Sequence, residues 1–81
     1  MTMVKLTNIS EDAKTISCEY CPENSDQLGY VELDCESEEI VNIKYSDYEY
    51  GKKMYAAHAI AKLIELSRLD SMPKEAYAIW F

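Results

Sequence analysis

The chain is 81 residues of 9.3 kDa, 48% hydrophobic and 28% charged, with two Gly and two Pro; that length holds one hydrophobic core, and the composition excludes a disordered, Pro-rich tract. Fifteen acids against eight lysines and arginines leave a net charge of −7, which excludes nucleic-acid binding by broad phosphate neutralisation and leaves a basic or cationic partner open. No run approaches the roughly eighteen apolar residues of a membrane span, and Met1 to Lys14 lacks the basic start and apolar run of a signal peptide, so the expectation is a single cytoplasmic domain over residues 1–81, away from membranes.

Val4-Lys5-Leu6 alternates apolar with polar and Ser10-Glu11-Asp12 reads as a turn, which makes a first short strand. Lys14 to Tyr20 alternates again, with Ile16, Cys18 and Tyr20 on one face and Thr15, Ser17 and Glu19 on the other, so the two segments form a hairpin. Cys21 to Asp26 has no period, and Pro22 lacks the amide that a central ladder needs; this reads as a loop. Gly29 to Glu36 is the clearest strand: Val31, Leu33 and Cys35 face the core, whereas Tyr30, Glu32, Asp34 and Glu36 face water. After Ser37-Glu38-Glu39, the residues Val41, Ile43 and Tyr45 alternate with Asn42 and Lys44 in a partner strand.

Ser46-Asp47-Tyr48-Glu49 has the Ser-x-x-Glu form of a capping box and predicts a helix starting there or one turn later, through the good helix formers of Lys52 to Leu69. At 100° per residue, Ala56, Ala57, Leu63 and Ile64 lie within about 60° of Ile60, so that stripe is expected on the sheet, with Tyr55, Leu66 and Leu69 on an uncovered flank. Met72-Pro73 ends the helix. Residues 76–81 place Tyr77, Ile79 and Phe81 opposite Ala76, Ala78 and Trp80, which reads as a closing strand, with a short helix as the alternative. The fold expected is α+β: a four- or five-stranded, mainly antiparallel sheet with one long helix packed across one face, in the order β-β-β-β-α, with a final strand where residues 76–81 are extended and four strands where they are helical.

Pro22-Glu23, Gly29-Tyr30-Val31-Glu32-Leu33-Asp34, Glu39-Ile40-Val41 and the ending Trp80-Phe81 together resemble small bacterial proteins of unknown function, over roughly residues 22–81. The resemblance implies no activity and no site.

The residues that carry chemistry are few. Cys18-Glu19-Tyr20-Cys21 has the spacing of zinc knuckles and thiol oxidoreductases, and with Cys35 and His58 it completes a formal Cys3His set. Against that reading, Pro22 and acids follow the pair where a redox site has a helix N-terminus. Cys18 and Cys35 face the core, while His58 lies about 160° from Ile60 beside Lys62 and Glu65. Three thiols without a secretion signal are expected free, and His58, the only imidazole, is expected solvated. Asn8-Ile9-Ser10 matches a glycosylation sequon, which has meaning only in a secreted protein. Glu32, Asp34 and Glu36 form a carboxylate stripe with a repeat of about 6.6 Å, and Tyr45, Tyr48, Tyr50 and Tyr55 cluster where strand passes to helix.

The functional expectation is a non-enzymatic acidic interaction or regulatory module with no catalytic residue, cofactor or metal. Its partner-binding candidates are Tyr30, Glu32, Asp34, Glu36, Tyr48, Tyr50, Tyr55 and Trp80. The alternative is a small metal- or thiol-binding protein built on Cys18, Cys21, Cys35 and His58. If residues 76–81 are an edge strand, their apolar ending points to a homodimer joined there; the alternative is that they fold back over Leu66 and Leu69, burying Trp80 and leaving a monomer, whereas mimicry of a nucleic-acid backbone needs more than the short Glu32 to Glu39 stretch.

Overall fold

A computed structural model of the chain describes residues 2–49 and 53–80. In chain order the elements are β1 (Thr2–Glu11), β2 (Thr15–Pro22), β3 (Gly29–Asp34), β4 (Ile40–Lys44), α1 (Met54–Ser67) and β5 (Ala76–Trp80). The strands form an antiparallel five-stranded sheet in the order β4-β3-β2-β1-β5, with α1 across one face, as the α+β expectation has it. The closing segment is a strand over Ala76–Trp80, paired with β1 at the sheet edge, and Phe81 lies outside the described residues.

Alternation governs the inner face. Val4, Leu6, Ile16, Cys18, Tyr20, Val31 and Leu33 are buried there, and the register sets them opposite one another: Leu6 across from Tyr20, Ile16 from Leu33, Cys18 from Val31. Fully burying a side chain such as Leu33 stabilises the fold by about 1.5–3 kcal/mol. β1 runs well past its expected end because of a bulge. Asn8 and Ile9 together oppose Cys18, with Asn8 at φ 50°, a left-handed conformation that asparagine tolerates. The extra residue swings Ile9 back into the core and moves the turn on to Asp12. β2 likewise extends through Pro22, which pairs in register with Val4, so the expected loop begins two residues later, at Glu23. β3 ends at Asp34, which puts Cys35 and Glu36 in the turn rather than on the strand.

β4 departs from its alternation at a second bulge. Asn42 pairs with Glu32 and Ile40 with Leu33, leaving Val41 as the extra residue, more than half exposed instead of facing the core. The helix departs too. Its buried residues are Ala56, Ala59, Leu63 and Leu66, a stripe turned by about 80° from the one centred on Ile60. Ala57 is therefore exposed, Leu66 is core and not flank, and Ile60 and Ile64 are half-buried against the stripe's side. The reason is steric: Ala59, fully buried, lets the helix approach the strands where a branched side chain would hold it off. A helix about 10 Å wide cannot cover a sheet about 19 Å wide, so Ile40 on the β4 edge stays exposed.

Candidate functional site

Two regions hold the candidate residues, and they lie on opposite faces of the sheet. On the face that α1 leaves open, the pleat of β3 presents Tyr30, Glu32 and Asp34, and the register adds a neighbour on β2, Glu19, directly across from Tyr30. Glu19 and Glu32 are diagonal neighbours at roughly 7–8 Å. Sequence reasoning placed Glu19 on a polar face but not beside the stripe, because only the β2–β3 register joins them. Lys44 faces Tyr30 from β4, and Lys5 lies on β1 with its ammonium 3.6 Å from Glu75.

At one end of the sheet the stripe runs into an acidic rim. The β1–β2 and β3–β4 turns meet there, tied by the Cys35 amide donating to the Lys14 carbonyl at 2.8 Å, and a shallow hollow between them is lined by Ala13, Lys14, Asp34, Cys35 and Glu36. Two aspartates organise these turns. Asp12 accepts the amides of Lys14 and Thr15, each at 2.8 Å, and Asp34 accepts those of Glu36 and Ser37, each at 2.9 Å. These amides hold both carboxyls below their ordinary 3.8. Asp34 thus shapes its turn, while Glu36 is exposed beside it. The negative potential of the rim is visible at Cys35, whose thiol is pushed up first by desolvation and then by Glu11, Asp12 and Asp34.

The second region surrounds the start of α1. Tyr20, fully buried, donates its hydroxyl to Glu49 at 2.6 Å and accepts the Ser46 amide at 2.9 Å. Glu49 in turn accepts the amides of Tyr55 at 3.0 Å and Ala56 at 2.8 Å, the exposed donors of the first helical turn. Burial, followed by the bond to Glu49, raises the Tyr20 hydroxyl far above its ordinary range. The expected capping box is therefore not local. Ser46 accepts the Tyr48 amide and donates to the Gln27 carbonyl, and Glu49 reaches forward to a helix that begins at Met54.

Around this network the aromatic candidates pack against each other. Tyr48 and Tyr55 meet edge to face with centroids 5.8 Å apart, Tyr55 and Trp80 at 5.7 Å, and the Tyr55 hydroxyl donates to Glu23 at 3.0 Å. His58 stacks on Trp80 at 3.6 Å, a contact that replaces the solvated histidine of the sequence reading. Tyr48, Tyr55 and Trp80 consequently build the corner that docks the helix and are not on the surface of Tyr30 and Glu32; Tyr50 lies outside the described residues.

The thiols do not come together. Cys18 is buried on the inner face, Cys21 is on the opposite face of the same strand and donates to the Ser25 carbonyl, and Cys35 lies in the rim. Among the described residues no three His, Cys, Asp or Glu side chains converge to hold a metal ion. In the same residues no helix is long and apolar enough to cross a membrane. Compared with known proteins, the chain matches no family model, no curated protein and no solved structure, so likeness carries no activity or site to it.

Proposed function

We propose that the protein is a non-enzymatic interaction module that receives a basic protein segment on the open sheet face and its acidic rim. The observation that carries this reading is the continuity of Glu19 and Glu32 with Glu36 and the turn acids, on the one face that α1 does not cover. Among the described residues Glu32 has no ion-pair partner, so its carboxylate is available at no cost of a broken contact. Tyr30 beside it supplies apolar area and a hydroxyl, the combination that anchors interfaces. The metal or thiol reading would need Cys18 and Cys21 on one face, and β2 sends them to opposite faces. His58 is stacked on Trp80, ring centroids 3.6 Å apart, on the helix and away from Cys18 inside the sheet.

Titration with a lysine-rich unstructured peptide tests the proposal. Binding is expected at low salt, to weaken steeply as salt rises, and to fall about tenfold or more in a Glu32→Lys, Glu36→Lys variant. A variant with the same charge change elsewhere, Asp70→Lys with Glu65→Lys on the helix side, should bind within about twofold of the parent. Equal losses in the two variants would mean that only net charge is being read, and the surface assignment would fail.

A further inference from the structure

The sheet has two edges, and they are built differently. β4 is guarded: the Val41 bulge interrupts its register, Lys44 closes its end, and Glu38 and Glu39 precede it, all devices that discourage another strand from pairing. β5 is preceded by charged residues too, Lys74 and Glu75, but within the strand it has no such device. Ala76-Tyr77-Ala78-Ile79-Trp80 contains no charge, no proline and no glycine, and it pairs with β1 without a break from Thr2 opposite Trp80 to Leu6 opposite Ala76. Among the described residues no strand lies on its other side. Tyr77 and Ile79, 49% and 55% exposed, stand on the open face of this edge.

We propose, independently of the basic-partner reading, that the outer edge of β5 pairs antiparallel with β5 of a second copy, about a two-fold axis beside Ala78, to give one continuous ten-stranded sheet. The strand is self-complementary in that register. Tyr77 falls opposite Ile79 of the second copy and Ile79 opposite its Tyr77, two aromatic-to-β-branched cross-strand pairs of the favourable kind. On the inner face bulky Trp80 falls opposite small Ala76 and Ala78 opposite itself, so the two volumes alternate across the axis.

Charge selects the same edge. Two chains of net charge −7 repel, and most of that charge lies in residues 1–49, with twelve acids against three lysines. Residues 53–80 hold Lys53, Lys62, Arg68 and Lys74 against Glu65, Asp70 and Glu75. The groove above the edge is lined by His58, Lys62 and Glu65 with Tyr77 to Ile79, and its lysine and glutamate form an ion pair at 3.4 Å. Pairing through β5 therefore brings near-neutral surfaces together and sends the two acidic rims toward the distant ends of the joined sheet.

Light scattering of the full chain over a concentration series at about 0.15 M NaCl tests this. The expected result is a mass of two 9.3 kDa chains, reduced to one chain by Ile79→Lys with unchanged circular dichroism and a dissociation constant raised about tenfold or more. Tyr77→Lys should do the same, and serves if the first variant does not fold, while Val41→Lys on the other edge should leave the dimer intact. A parent chain that stays at one mass up to millimolar concentration overturns the proposal, as does a dimer that survives a folded edge variant or is lost in Val41→Lys.

Discussion

The tightest constraint at the scale of single residues is Gly29 beneath Tyr20. The two are cross-strand partners, and a Cβ on Gly29 would overlap the ring at Cε1 and Cζ and sit 2.7 Å from the hydroxyl oxygen. That ring has nowhere to go, because it is fully buried and its hydroxyl is held between Glu49 and the Ser46 amide. Gly29→Ala should cost about 1–3 kcal/mol by overpacking, read from urea denaturation; a loss under about 0.5 kcal/mol would show that the ring can tilt away. Cys18 gives a second test. Burial, with a smaller effect of Glu19, pushes its thiol up to about 12, so near pH 8 a thiol reagent should leave Cys18 unlabelled in the native protein and label it on unfolding. Peptide mass mapping that finds Cys18 labelled in the folded chain would contradict its burial. Both features were half legible in the sequence: alternation put Tyr20 and Cys18 inside, but the glycine's purpose appears only when the register sets it opposite an aromatic ring.

Among the elements, α1 depends on a cap supplied from outside itself. Its N-cap position is Lys53, at φ 58° and with no side-chain hydrogen bond to the helix, and its first turn carries no acid. Glu49 fills that role for the amides of Tyr55 and Ala56. Glu49→Ala should therefore destabilise the fold by about 2 kcal/mol or more, from a lost cap and a buried Tyr20 hydroxyl left without its acceptor; Glu49→Gln, which keeps an acceptor, should cost about half. Equal effects of the two substitutions would show that packing and not capping is at stake. The Ser46-x-x-Glu49 pattern was visible in the sequence, yet its targets were not, because they are fixed by β2 passing under the helix start. The bulges at Asn8 and Val41 were illegible for a related reason: one extra residue in a strand is a choice of pairing, and alternation within a strand cannot see its neighbour. The helix stripe erred because two apolar faces overlap on it, and only the sheet selects the one containing Ala59. In the turns, Asp12 and Asp34 have carboxyls lowered from 3.8 by backbone amides, so their contribution is complete above that value and is lost as pH falls through the lower folded value. Asp34→Asn should flatten the fall in stability below about pH 4 and leave stability at pH 7 less sensitive than Asp34→Ala does.

For the whole molecule, the candidate surface was legible where it follows β3 and illegible where it depends on faces: the seven candidates among the described residues, read along one dimension, separate into an open sheet with its rim and a helix corner. Net charge, by contrast, is a property of the sequence that the fold must live with. Fifteen acids sit on a body 32 Å long and 21 Å across, a few screening lengths in ordinary salt. The ion pairs among the described residues, Lys5 with Glu75, Lys62 with Glu65 and Arg68 with Glu38, are largely exposed and offset little of that repulsion. Salt weakens both, but the repulsion acts over the whole acidic half, whereas each pair is worth at most about 1 kcal/mol. The melting temperature at pH 7 should therefore rise as NaCl goes from about 0.01 to 0.5 M, a range over which the screening length falls from about 30 Å to a few ångströms. Lys5→Gln with Arg68→Gln should steepen the rise, because it removes two attractions and adds to the net negative charge. A melting temperature that falls steadily over the same range would mean that attraction between the acidic and basic halves outweighs repulsion within the acidic one, and that the excess of acids is absorbed by the fold itself and not left on its surface for a partner.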